Sequence, residues 1–208
     1  MITNNLNTIK TFVINMDRRG DRLAEMNIPF KWERFPAFDG TKLHVPSNSK
    51  PGIIGCLKSH QALLKRIQDE KLEVAIIFED DADLCDDFET KFNSIMNKLP
   101  EDWDLLYLGG WNRNEVKPYA EGLNIAEKVF CTHAYMIRDK FIATALEALH
   151  SRDGKYPIEL KPNDYKTDVL LAECLPKGKC FICSPVLAWQ REGFSDVEGI
   201  KTNNLHLR

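Results

Sequence analysis

No stretch of this chain approaches the roughly 18 consecutive apolar residues that a membrane-spanning helix needs. Its first ten residues, MITNNLNTIK, also lack the apolar run of a secretory leader. The expectation is therefore a cytoplasmic protein. Positive charge is not in excess: 28 Lys and Arg stand against 31 Asp and Glu, a net charge of -3, which leaves no footprint for nucleic acid or an anionic membrane. Six cysteines lie scattered in mostly apolar contexts, so a disulfide framework is not indicated and reduced thiols are the simplest account. Cys180 and Cys183 make a single CxxC inside KCFICSPV, which reads as a strand and lacks the second pair of a structural zinc site. There is no internal repeat and no low-complexity linker, so 208 residues read as one domain.

What the chain does have is an acidic strand end. Val74 to Phe78 are apolar without interruption and run into Glu79, Asp80, Asp81 and Asp83, within a stretch of seven carboxylates reaching Glu89. Crowded like charges repel, and a divalent cation would relieve them. All-oxygen ligands favour a hard ion such as Mn2+ or Mg2+. The alternative is a solvated acidic turn in which Asp86 or Asp87 caps the helix beginning at Phe88.

Strands are predicted at about 8–15, 30–37, 73–78, 103–108, 128–137 and 179–188. They alternate with helices at Gly52 to Asp69, Phe88 to Lys98, from Asp139, and Asp164 to Cys174. Such alternation predicts an α/β/α sandwich of Rossmann type with a mostly parallel central sheet. Ligands of such folds gather at the carboxyl edge of the sheet. Arg18, Arg19 and Arg22, between the first strand and a short helix, suit either a diphosphate clamp or a solvated basic face. His60 falls on the packed face of the long helix, where a hydrogen-bonded core histidine and a catalytic one look alike.

Several segments, taken in order, resemble glycosyltransferase family 25. They are FVINMDRRGDR at 12–22, FPAFDG at 35–40, PGIIGCLKSHQALLK at 51–65, AIIFEDDADL at 75–84, WDLLYLGG at 103–110, THAYMIR at 132–138 and FSDVE at 194–198. The resemblance implies a single GT-A-like domain. Residues 1–110 would form its nucleotide-sugar-binding half and residues 111–208 its acceptor-binding half. It also implies an inverting, Mn2+- or Mg2+-dependent transfer of galactose or glucose from a UDP-sugar to a glycan acceptor.

On that match Asn15, Arg18, Arg22, Gly55, Ser59, Glu79, Asp80 and His133 belong to the nucleotide-sugar site. Glu79, Asp80 and Asp81, matching the family's acidic triplet, would hold the metal against the diphosphate, and Asp83 also makes Asp81-Ala82-Asp83 a literal Asp-x-Asp, so the metal-binding pair stays open among Glu79, Asp81 and Asp83. His60, Asp168 and Asp196 are the catalytic candidates, Asp168 being the first choice for general base and Asp196 the second. Acceptor choice is expected in the loops 41–50, 111–122 and 151–162. A bacterial or viral enzyme is expected, working beside membrane-bound acceptors by peripheral association at most, since no amphipathic anchor is present. A metal-dependent phosphohydrolase and a non-catalytic glycan- or nucleotide-sugar-binding module remain the competing functions. Oligomeric state is open.

Overall fold

Only a strand covered on both faces can bury successive side chains, so the longest apolar runs should become central strands. In the computed structural model, which describes residues 6–153 and 160–202, they do: Phe12, Val13, Ile76, Ile77, Leu105 and Leu106 are all fully buried. Among the described residues the sheet has eight strands. They are β1 (Lys10–Asn15), β2 (Glu33–Pro36), β3 (Val74–Glu79), β4 (Leu105–Tyr107), β5 (Lys117–Ala120), β6 (Leu123–Ile125), β7 (Ala134–Arg138) and β8 (Cys180–Cys183). They lie side by side as β2-β1-β3-β7-β4-β8-β6-β5.

Among the described residues five helices cover it: α1 (Gly20–Glu25), α2 (Pro51–Asp69), α3 (Phe88–Met96), α4 (Asp139–His150) and α5 (Thr167–Cys174). Alternate strand residues point to opposite faces. Phe12, Ile77, Leu105 and Tyr135 pack with Leu64, Ile142 and Leu170 of α2, α4 and α5. Val13, Ile76, Leu106 and Met136 pack with Phe88, Phe92 and Ile95 of α3. The α/β/α layering is thus as the sequence predicts.

The sheet, however, is mixed rather than mostly parallel. Pairing is parallel at β2–β1, β1–β3 and β4–β8, and antiparallel at the other junctions. Two of the four antiparallel junctions come from the β5–β6 hairpin at the sheet edge, and the other two from β7, which lies between β3 and β4. It is reached from β4 through a connection without a helix, whereas a parallel neighbour normally needs a helical crossover. The predicted 128–137 strand is interrupted, because Cys131 has φ 73° and separates the short strand Val129–Phe130 from β7.

Other boundaries shift as well. The expected loop 111–122 contains β5 and the short strand Trp111–Asn112, which pairs with Val129–Phe130. The expected strand 179–188 ends at Cys183, and Ala188–Gln190 pairs instead with Ala82–Leu84. The predicted helix 164–174 begins as a 3-10 turn, Pro162–Tyr165, and breaks at Lys166 before α5. In the predicted loop 151–162, residues 154–159 lie outside the described residues. Within the polar tail, Gly193–Ser195 and Ile200–Thr202 form a hairpin.

Candidate active site

β1 and β3 run parallel, with Ile14 opposite Glu79, so their carboxyl ends open at the same sheet edge. Apolar burial fixes that edge, and Asp80 and Asp81 lie between the end of β3 and the short strand Ala82–Leu84. Asn15, at the end of β1, donates through Nδ2 to Asp80 Oδ2 at 2.8 Å and to the Arg19 carbonyl at 2.9 Å. Arg22, from α1, spans two carboxylates: Nη1 lies 2.8 Å from Asp80 Oδ1, and Nη2 lies 2.6 Å from Asp81 Oδ2. All three side chains are at most 15% exposed. Asp196, on the turn of the 193–202 hairpin, accepts from Arg18 Nη2 at 2.7 Å and also pairs with Arg19.

Two cavities open here. The first, about 340 Å3, lies between the ends of β1 and β3, the Phe38–Thr41 loop, the first turns of α2 and residues 196–199. Arg18, Arg22, Ser59 and Asp80 line it. A second, about 220 Å3, is bordered by Asp81, Thr132, Lys166, Thr167 and Asp168. Glu79 and Cys56 border both, so together they form a partition. The helix can approach the loop this closely because residue 55 is glycine. A Cβ there would stand 2.7 Å from the Phe38 carbonyl oxygen and 2.8 Å from the Gly40 nitrogen.

Glu79 is held by His60 and Thr132. His60 Nε2 stands 3.3 Å from Glu79 Oε1, Thr132 Oγ1 donates to the same oxygen at 2.8 Å, and His60 Nδ1 lies 2.9 Å from the Tyr135 hydroxyl. Burial pushes the Glu79 carboxyl up, yet the hydrogen bond and charge of His60, with Thr132, outweigh it and hold it at about 2. Asp80 moves the other way, to about 6, because burial and the charges of Asp81 and Glu79 exceed the help from Arg22 and Asn15. Burial and Glu79 raise Asp81 as well. Burial pushes the Cys56 thiol far up, and its Sγ lies 3.4 Å from Thr167 Oγ1.

Of the residues singled out from the sequence, Arg18, Arg22, Gly55, Ser59, His60, Glu79, Asp80 and Asp196 line the first cavity. Glu79, Asp81 and Asp168 line the second. Asn15 stands behind Asp80 as a support. Two residues stand apart. Asp83 is turned away onto Arg191, which reaches its Oδ1 through Nε at 2.9 Å and Nη2 at 2.8 Å, so Asp81 and Asp83 do not converge. His133 is 1% exposed, lines neither cavity, and places Nε2 3.2 Å from the Ala188 carbonyl. Sequence reasoning passed over Cys56, Thr132 and Thr167. The one signal for Cys56 was its i,i+4 spacing to His60 on α2.

The donor set fits a hard cation at one position. Asp81 Oδ1 is buried and has no hydrogen-bond partner, an arrangement that leaves a carboxylate oxygen available as a ligand. It borders the same cavity as Glu79.

Residues 8–155 match glycosyltransferase family 25 (LPS biosynthesis protein). Human procollagen galactosyltransferase 2 is 29% identical over 153 residues, covering 60% of this chain and 24% of that protein. Human inactive glycosyltransferase 25 family member 3 is also 29% identical, over 168 residues, covering 62% and 27%. The procollagen lysyl hydroxylase and glycosyltransferase of Acanthamoeba polyphaga mimivirus is 27% identical over 221 residues, covering 86% and 24%. The chain spans about a quarter of the length of these relatives. Among solved structures, a glycosyltransferase involved in glycosylation of the major capsid of PBCV-1 superposes with a TM-score of 0.47 at 10% identity, covering 84% of this chain and 80% of that one. With most of its length matched, this chain belongs to glycosyltransferase family 25.

Proposed function

We propose that this chain is a GT-A-like glycosyltransferase domain that moves galactose or glucose from a UDP-sugar to a glycan hydroxyl with inversion. One observation carries the reading: two cavities meet at a shared carboxylate, Glu79, with arginines on one side and, on the other, Asp81, whose Oδ1 has no hydrogen-bond partner.

The first cavity, at about 340 Å3, falls in the size range of small-ligand sites. Phe38, 42% exposed on its wall, offers an aromatic face to the base. The 19-residue α2 begins at this cavity with no acidic residue in its first turn, so its N–H groups and dipole favour a diphosphate. Arg18 and Arg22 add charge, and the diphosphate must compete with Asp196 for Arg18. Glu79 and Asp81 would hold the Mn2+ or Mg2+ ion, which when bound supplies positive charge for the leaving diphosphate.

The second cavity takes the acceptor. Asp168 stands at the start of α5, where Oδ2 accepts from the Cys131 N–H at 3.0 Å and Oδ1 from the Val169 N–H at 2.9 Å. These bonds fix the carboxylate and leave lone pairs for an acceptor hydroxyl, the geometry of a general base. Asp196 is committed to Arg18 and Arg19 and serves as their counter-charge. Donor and acceptor halves interleave, since residues 196–199 close the donor cavity.

Arg22 already balances Asp80 and Asp81, which also suits a binding module without catalysis. Calorimetry with UDP, UDP-galactose and UDP-glucose, with and without Mn2+, on wild type and Asp81→Asn separates these readings. A transferase binds nucleotide in a Mn2+- and Asp81-dependent way and releases UDP when glycan acceptors are added. Binding that ignores Mn2+, with no UDP release, selects the module. Absence of any nucleotide binding overturns the donor site.

A further inference from the structure

We propose that Cys56, His60 and Glu79 form a site for a borderline-soft divalent cation of the zinc class, chemically distinct from the hard-cation position at Asp81. A sulfur, a ring nitrogen and a carboxylate oxygen, one from each residue, all lie within 4.8 Å of one another. Tetrahedral zinc, with bonds of roughly 2.0–2.3 Å, accepts this mixed donor set, and small side-chain rotations close it. Cys56 and His60 are four apart on α2, so they project from the same helix face, and Glu79 meets them from the end of β3.

Each ligand has an orienting partner of the kind that metal sites use. The Tyr135 hydroxyl lies on His60 Nδ1, and because it can donate or accept it serves the tautomer that frees the Nε2 lone pair. Thr132 Oγ1 steadies the Glu79 carboxylate, and Thr167 Oγ1 lies against the Cys56 sulfur. Cys56 and Glu79 border both cavities, giving an ion a way in and leaving the fourth position for water. On binding, the Cys56 thiol and the charged form of the His60 ring each give a proton to solvent, and the thiolate and the freed Nε2 lone pair bond the metal. Zinc in this site withdraws Glu79 from Asp81, so it opposes any hard cation there.

The test uses Co2+ as the spectroscopic stand-in for zinc, with the whole chain and no nucleotide, so it stands or falls apart from the transferase reading. Wild type should develop a near-ultraviolet sulfur-to-cobalt charge-transfer band together with the intense visible bands of tetrahedral cobalt, and Zn2+ should abolish both. Cys56→Ser should lose the charge-transfer band and His60→Gln should weaken binding at least tenfold. Cys131→Ser and Asp81→Asn should keep the band. Alkylation of wild-type Cys56, read by mass spectrometry, should fall severalfold with Zn2+ and not with Mg2+, a readout that requires no variant to fold. A missing band, a band that survives in folded Cys56→Ser, or alkylation indifferent to Zn2+ overturns the site.

Discussion

Arg22 is where fold and chemistry can be separated by one substitution. Its guanidinium contacts Asp80 at 2.8 Å and Asp81 at 2.6 Å, and none of the three side chains is more than 15% exposed. At charge separations near 4 Å and an effective dielectric of about 20, each pair is worth about 4 kcal/mol of attraction, most of it offset by lost hydration. Arg22→Met keeps the aliphatic stem and leaves two neighbouring carboxylates unpaired beside Glu79. Breaking a buried pair from one side costs about 3–5 kcal/mol, equivalent to a drop of roughly 6–20 °C in Tm for a chain of this size.

Protonation limits that loss. Asp80 already sits at about 6 with Arg22 present, and removing the guanidinium raises it further above its unfolded value. A group raised in the folded state contributes stability at low pH and loses it as pH rises, so the defect should be smaller at pH 5 than at pH 8. A cation can take the place of the missing charge. Mn2+ at a hundredfold excess over its Kd adds about 2.7 kcal/mol, and it should add more to the variant than to wild type, where Arg22 already neutralises part of the Asp81 charge. The assay is urea unfolding of both proteins in EDTA and in Mn2+ at constant ionic strength. A loss below about 1 kcal/mol in EDTA, or equal stabilisation of both proteins by Mn2+, would refute the reasoning.

Three further outcomes are expected. Asp168→Asn should cut transfer by about 10²–10⁴-fold while calorimetry shows UDP-sugar binding unchanged, because the residue faces only the second cavity; a variant that turns over normally removes Asp168 as the base. Gly55→Ala should destabilise by about 1–3 kcal/mol and weaken nucleotide binding, since its Cβ meets the Phe38 carbonyl at 2.7 Å; a neutral urea midpoint would show that the loop yields. Glu33 is held below the usual carboxylate range by hydrogen bonds from Lys10 and Arg66. Its contribution is therefore present above the unfolded value of about 4.3 and lost as pH falls through the folded one, so Glu33→Gln should flatten the acid limb of a stability-against-pH curve.

Much of this architecture is legible from local pattern. The long apolar runs that became β1 and β3 and the 3.6-residue period of α2 are properties of contiguous residues, and they placed Glu79 at a sheet edge. What escaped depends on residues far apart in the chain. The Lys117–Ala120 strand is mostly exposed and carries Pro118, and Leu123–Ile125 is only three residues long, so neither reads as a strand until β8 supplies a partner. Asp81 and Asp83 look like a pair, but Arg191, 108 positions beyond Asp83, claims one of them. Cys56 reads as another buried thiol because its neighbours at the partition, Glu79 and Thr167, come from β3 and α5.

The hairpin that carries Asp196 has a bearing on how such a domain could be re-engineered. The family match ends at residue 155, yet Lys166, Thr167 and Asp168 wall the second cavity and residues 196–199 close the first. The acidic strand end therefore comes from the matched segment, while part of the wall of both cavities comes from the stretch of chain beyond it, which also supplies the buried strand β8. Grafting the hairpin 193–202 alone between relatives would exchange part of the wall of both cavities while leaving the buried strands β1, β3 and β8 untouched.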